Sequence, residues 1–229
     1  MTEQVNVRAV VLDILTEVNE KGAYSHVVVN SALAKYQYLN KNERAFLTRL
    51  SEGTIEKQIY LDDVINKTSK VKTEKMKPLI RNLLRMSAYQ ILCMDGIPDS
   101  AVCNEAVKLA KKRGFSTLSG FVNGVLRNIA RNKEQFQTPQ ELSVKYSMPQ
   151  WIVEQVIEQY GQDAAETIFA AFENPSPTYV RCNTCVCGVD GIVKRLQEQH
   201  VTVESVPSVF GALKLSEYDY LTKLAVFRE

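Results

Sequence analysis

The chain has 229 residues, a formal net charge of +2, 45% hydrophobic and 24% charged residues. This composition excludes collagen-like, low-complexity and disordered classes. No apolar run is long enough to cross a bilayer, and five cysteines behind a polar, acidic Met1-Thr2-Glu3-Gln4 fit a reducing cytoplasm rather than a disulfide scaffold.

From the front, Val7, Val10, Val11, Ile14, Leu15 and Val18 fall on one side of a first helix, which Gly22 closes. His26 sits beside Ser25 in an amphipathic second helix, where a lone histidine reads as packing or surface. Asn40 followed by Glu43 resembles a capping box and opens a long helix expected to run through Phe46, Leu47 and Leu50 to about Lys67. Within it, Asp62-Asp63 reads as a solvated or helix-stabilising pair.

Seven cations between Lys67 and Arg85 stand against Glu74 alone. Lys77, Arg81 and Arg85 recur every four residues, a stripe on a helix whose Leu79, Ile80, Leu83 and Leu84 point inward. The stripe suits a phosphate backbone, or it is the solvated face of a core helix. The apolar helix ends near Met94, where Asp95-Gly96-Ile97-Pro98 breaks it. Another starts after Pro98 with Asp99 or Ser100 as cap and stops at Gly114 behind Lys111-Lys112-Arg113. With Lys108 these cations form a second basic patch, equally readable as a complement to the helix dipole. A helix from about Thr117 to Arg131 carries Gly120 and Gly124 four apart, so a neighbouring backbone is expected to approach that face. Arg127 and Arg131 are likewise four apart.

Polarity rises from Asn132 to Pro139, a domain boundary. Trp151, Ile152, Val156 and Ile157 then form the apolar side of a helix ending at Gly161, and 164–172 gives another. Pro175 and Pro177 favour extension. Residues 178–183, 201–206 and 210–215 read as short strands with a helix over 189–199, a small α/β module. Cys182, Cys185 and Cys187 near His200 lack the spacing of a zinc site and read as buried hydrophobes, so no metal is expected. Through Gln140 there are 21 Lys plus Arg against 14 Asp plus Glu, and from Glu141 onward 7 against 12. A basic front of +7 and an acidic back of −5 imply different partners, nucleic acid for the basic one. No residue forms a catalytic constellation.

The runs Asn104-Glu105-Ala106-Val107-Lys108-Leu109-Ala110-Lys111 and Phe121-Val122-Asn123-Gly124-Val125-Leu126 resemble the RNA-binding domain of the transcription antitermination factor NusB. Tyr89-Gln90-Ile91-Leu92-Cys93-Met94-Asp95-Gly96-Ile97-Pro98 and Val125-Leu126-Arg127 resemble the version at the front of the RsmB/Sun family of bacterial small-subunit ribosomal RNA cytosine-5 methyltransferases. Ser147-Met148-Pro149-Gln150-Trp151-Ile152-Val153, Tyr160-Gly161 and the stretch 174–183 look like that family's linker and substrate-side module. Ser51-Glu52-Gly53-Thr54-Ile55-Glu56 departs from the pattern, which tends to an aromatic before the glycine and an arginine after it.

The resemblance implies a mainly α fold: a NusB-like all-helical bundle over 1–135, a helical linker over 136–176, and a small α/β, RNA-recognition-like module over 177–229. It implies small-subunit ribosomal RNA as partner, with no DNA or membrane. S-adenosylmethionine would be the cofactor of the intact enzyme, but this stretch lacks the glycine-rich turn of a doubly wound nucleotide site and is expected to bind none. The Rossmann-like catalytic domain and its nucleophilic cysteines are expected to lie beyond the stretch, leaving it inactive alone. The alternative is an extended antitermination RNA-binding protein. Candidate RNA contacts are Arg8, Lys41, Arg44 and Arg49; Lys77, Arg81 and Arg85; Lys108, Lys111, Lys112 and Arg113; Arg127 and Arg131; and Arg181 with Asn183 of the Arg-x-Asn strand, which otherwise anchor that strand by hydrogen bonds.

Overall fold

The computed structural model describes residues 5–136, 138–174, 177–218 and 221–227, so Met1 to Gln4 and Pro175 lie outside the described residues. The chain divides after Ala170 into two compact units.

In the first unit α1 (Val7–Lys21) starts where the Asn6 side chain accepts from the Ala9 amide at 3.1 Å and ends at Gly22, φ +70°. A glycine adopts that left-handed turn without the steric penalty of a Cβ. After α2 (Ser25–Lys35), α3 (Lys41–Glu56) opens with the expected capping box: Asn40 accepts from the Glu43 amide at 2.9 Å and Glu43 accepts from the Asn40 amide at 3.1 Å. The helix does not continue to Lys67. Lys57, at φ −91° and ψ 20°, turns the chain, and a separate α4 (Gln58–Thr68) follows. The break frees amides at the start of α4, and the Ser147 hydroxyl accepts from two of them, Ile59 at 2.9 Å and Tyr60 at 3.4 Å.

Helix α5 (Pro78–Cys93) is the axis of the bundle, against which α1, α3, α4, α6 (Asp99–Lys112) and α7 (Ser119–Arg131) pack. Leu83 and Leu84 are fully buried, each contributing about 1.5–3 kcal/mol by leaving water. The same helix also buries Asn82, Arg85, Ser87 and Gln90, which must find partners inside. Pro98, rather than Asp99 or Ser100, takes the cap position of α6, with no side-chain cap. Its ring holds φ near −62°, so Asp99 falls one place inside and meets Lys133 at 3.6 Å. Gly120 and Gly124 face open space, contrary to the expected close approach. The close approach is at Gly53, where a Cβ would stand 2.1 Å from the Tyr89 hydroxyl.

The unit is completed by α8 (Leu142–Lys145), α9 (Gln150–Tyr160) and most of α10 (Gln162–Phe172), around Val153, Ala165 and Phe169. Lys145 is paired with Glu166 across this small core.

The second unit holds β1 (Thr178–Arg181), α11 (Val189–Glu198), β2 (Thr202–Ser205) and β3 (Ala212–Ser216) in an antiparallel sheet of order β1-β3-β2. Tyr179 pairs with Lys214 and Arg181 with Ala212. Leu196 of α11 packs with Leu213 and Leu215 on one face of the sheet, with Val201 and Leu224 closing the cluster. The third strand starts at Ala212 rather than Phe210, because Gly211 at φ +73° is still in the turn.

Candidate nucleic-acid interface

The amino ends of α1 and α3 converge on an open groove of about 860 Å³ whose walls include Asn6, Arg8, Lys41, Phe46 and Glu105. Both helix dipoles present their positive ends there, which favours an anion. Arg8 is its fixed element. Its Nε donates to Gln90 Oε1 at 2.8 Å, and its guanidinium lies 5.0 Å over the Phe46 ring. Burial lowers the Arg8 pKa, and the Glu105 carboxylate works the other way, yet an arginine stays charged at any ordinary pH. Among the described residues neither terminal nitrogen of Arg8 has a hydrogen-bond partner, so the planar fork is available to a ligand.

Lys108 reaches Glu105 at 2.7 Å and is exposed, with Lys112 one turn further along α6. Lys111 is also exposed, and neither it nor Lys112 has an ion pair among the described residues. Arg113 is held elsewhere, by Asp13 at 2.7 Å and the Ala9 carbonyl at 3.3 Å. Arg44 donates to the Leu39 carbonyl at 2.7 Å, and Arg49 lies exposed near the Cys93 carbonyl. Arg127 and Arg131 are exposed on α7, and Arg181 and Asn183 are exposed in the second unit.

Lys77, Arg81 and Arg85 do not form an exposed stripe. Lys77 is exposed, but Arg85 is 6% exposed and makes a two-bond pair with Asp62 at 2.7 and 2.6 Å. Arg81 makes a two-bond pair with Glu20 at 2.8 and 2.6 Å. Asn82 joins the two pairs, donating to Glu20 at 2.9 Å and accepting from Asn19 at 2.8 Å and Arg85 at 3.4 Å. Burial pushes the Glu20 carboxyl up, but hydrogen bonds from Arg81 and Asn82 and the nearby guanidinium charges outweigh it, so the group titrates below its usual range. The four-residue period is real, but two of its three cations, Arg81 and Arg85, point at carboxylates on α1 and α4 rather than at solvent. Asp62 is therefore an ion-pair partner rather than a solvated residue, while Asp63 meets Lys67 at 2.6 Å.

Phe46 and Gln90, which carry no charge, are not among the contacts expected from the sequence; their only signal is one aromatic and one amide among apolar helix positions. Cys182 is buried and Cys185 exposed, and no group of three His, Cys, Asp or Glu among the described residues could hold a metal ion. No helix among the described residues is long and apolar enough to cross a membrane.

Residues 5–131 match the NusB family, and residues 148–219 match the Methyltr_RsmF/B-like, ferredoxin-like domain. A probable ribosomal RNA small subunit methyltransferase B of Bacillus subtilis (strain 168) is 32% identical over 218 residues, covering 93% of this chain and 48% of the relative. The chain thus spans about half the length of the curated relatives it matches. NusB of T. maritima aligns over 58% of this chain and 95% of that one, at TM-score 0.51 and 26% identity. Another solved chain aligns over 99% of this one at TM-score 0.72 and 20% identity, a likeness of fold.

Proposed function

The chain belongs to the NusB family, and from that premise we propose that it is the RNA-gripping front portion of a cytoplasmic, S-adenosylmethionine-dependent methyltransferase acting on carbon 5 of a cytosine in small-subunit ribosomal RNA. The observation that carries the grip is Arg8: a guanidinium locked between Phe46 and Gln90, with free donors, in a groove where two helix amino ends meet. A phosphate seated there would satisfy the fork, and Lys41, Lys108 and Lys112 would extend the contact along the backbone. The second family match, over 148–219, favours the methyltransferase reading over a free-standing antitermination protein, because it covers residues that the NusB match does not.

The described residues do not fit S-adenosylmethionine themselves. Their sheet is three antiparallel strands, with no parallel strand-turn-helix unit to receive a nucleotide. Methyl transfer is therefore assigned to the part of the relatives that this chain does not span, and the 229 residues alone would be inactive.

The test is a titration of this chain with a labelled small-subunit ribosomal RNA fragment at several salt concentrations. Arg8→Ala is expected to weaken binding and to lower the slope of log affinity against log salt by about one. Affinity and slope equal to those of the unaltered chain overturn the assignment.

A further inference from the structure

Cys182 and Cys187 stand on the wall of one cavity of about 500 Å³ in the second unit, with Ile192 and Leu196 of α11 behind them and the exposed side chains of Val186 and Phe227 at its open side. Cys182 is 9% exposed and fixed at the end of β1, its amide donating to the Gly211 carbonyl at 2.8 Å. Past it the chain doubles back. The amides of Val186 and Cys187 both donate to the Asn183 carbonyl, at 3.1 and 3.3 Å, and this turn returns Cys187 to the cavity that Cys182 lines. The Cys187 sulfur lies over the first turn of α11, where a Cβ on Gly191 would stand 2.7 Å from it, so that glycine leaves the sulfur its berth. Burial pushes the Cys182 thiol up, and the neighbouring Cys187 pushes it further, as two sulfurs sharing a poorly hydrated space should. Cys185 is exposed and lies outside the residues that line the cavity. No third ligand joins the pair into a group able to hold a metal ion among the described residues, so the chemistry open to it is that of two thiols and a third sulfur.

We propose that Cys182 and Cys187 form a dithiol site that reduces a low-molecular-weight disulfide and is itself converted to a disulfide. The Cys187 thiolate, half-buried at the open side, attacks one sulfur of the small disulfide; that S–S bond breaks, Cys187 is left in a mixed disulfide, and the other half leaves as a thiolate that takes a proton from water. Cys182 then gives its proton to solvent and attacks the Cys187 sulfur, and the second half leaves in the same way. Two protein thiols are oxidised and one small disulfide is reduced to two thiols, with no further reactant. The order follows from position: Cys182 is buried and holds its proton more tightly than an ordinary thiol, so it resolves the intermediate rather than starting the exchange. A thiol with no neighbour keeps the mixed disulfide it forms, whereas here a second sulfur is held within the same cavity to remove it. The new bond ties the end of β1 to the entry of α11. Where small thiols are in excess it lasts only as long as the oxidising challenge, because the same exchange runs backwards.

The experiment incubates the reduced, folded chain with oxidised glutathione, quenches with acid, and reads intact mass, free thiols and a peptide map, with melting temperatures taken in parallel. The expected product is a single chain lighter by two hydrogens, with two of its five thiols lost, Cys182 joined to Cys187, and full recovery on adding dithiothreitol. Cys182→Ser is expected to stop at one glutathionyl group on Cys187 that persists at least roughly tenfold longer than in the unaltered chain. Cys187→Ser is expected to form no bridge, and Cys185→Ser to form it at the rate of the unaltered chain. A chain that keeps all five thiols overturns the site, as does one whose final state carries glutathione on Cys187. A bridge that includes Cys185 or joins two chains overturns it equally. The bridge mapped in the unaltered chain decides the matter even where a variant fails to fold.

Discussion

The Ser147 hydroxyl accepts a hydrogen bond from the Ile59 amide at 2.9 Å, across 88 residues of sequence, and so caps a helix to which Ser147 does not belong. Its backbone adopts φ +53°, an unusual conformation for a residue with a side chain, to bring the hydroxyl there. Ser147→Ala is expected to lower stability by about 0.5–2 kcal/mol, the usual loss of a helix cap. Denaturant unfolding reads the loss, and faster exchange of the Ile59 and Tyr60 amides locates it. Unchanged exchange at those amides would count against the capping role.

Gly53→Ala places a methyl against the Tyr89 ring, 2.1 Å from its hydroxyl oxygen, in a helix pair that has no room for it. A loss of about 1–3 kcal/mol is expected from this overpacking, despite the better helix propensity of alanine. Combining it with Tyr89→Leu should give less than the summed losses, since the two changes share one contact. Thermal or denaturant melts of the four proteins complete the cycle.

Arg85→Ala leaves Asp62 without its partner in a largely dry environment and is expected to cost about 3–5 kcal/mol. The salt slope of RNA binding, measured where the variant remains folded, should not change. Lys108→Ala with Lys112→Ala is expected to do the reverse, reducing RNA affinity and slope while leaving the melting temperature within a degree or two.

Two groups contribute to opposite limbs of the stability profile. Glu20 titrates below its ordinary 4.5 in the folded chain, so its contribution is complete above that value and is lost as pH falls through the folded pKa. Burial, with Cys93 and Asp63 nearby, pushes the Tyr60 hydroxyl up to about 12 from 10. Its contribution is complete below pH 10 and is lost as pH rises from 10 towards 12. Glu20→Gln should flatten the acid limb and Tyr60→Phe the alkaline limb, read from melting temperature against pH.

Features whose cause lies within a few residues were legible in the sequence. Asn40 and Glu43 cap the helix they open, Gly22 and Gly161 end helices, and the strand, helix, strand, strand order after Pro177 is the one observed. Features whose partner lies far along the chain were not. The period of Lys77, Arg81 and Arg85 is visible in the sequence, but Glu20 and Asp62 are 61 and 23 residues from their arginines, and periodicity says nothing of what a helix faces. Likewise Arg8 is visible in the sequence as a charge, while the residues that hold it, Phe46 and Gln90, are identified only by the packing of α1 against α3 and α5. The break at Lys57 has no local signal, because its compensation, Ser147, lies beyond the bundle helices.

Arg8 meets any ligand with its torsions already settled by a ring on one side and an amide on the other. Capture of a phosphate at this proposed site would therefore freeze little that was moving, and the ordering cost that weakens flexible surface cations would be largely absent. If the proposed grip is right, such a site would discriminate by angle: an oxyanion arriving in the plane of the fork would stay long and one arriving askew would leave quickly, so selectivity would be written in departure rates more than in encounter rates.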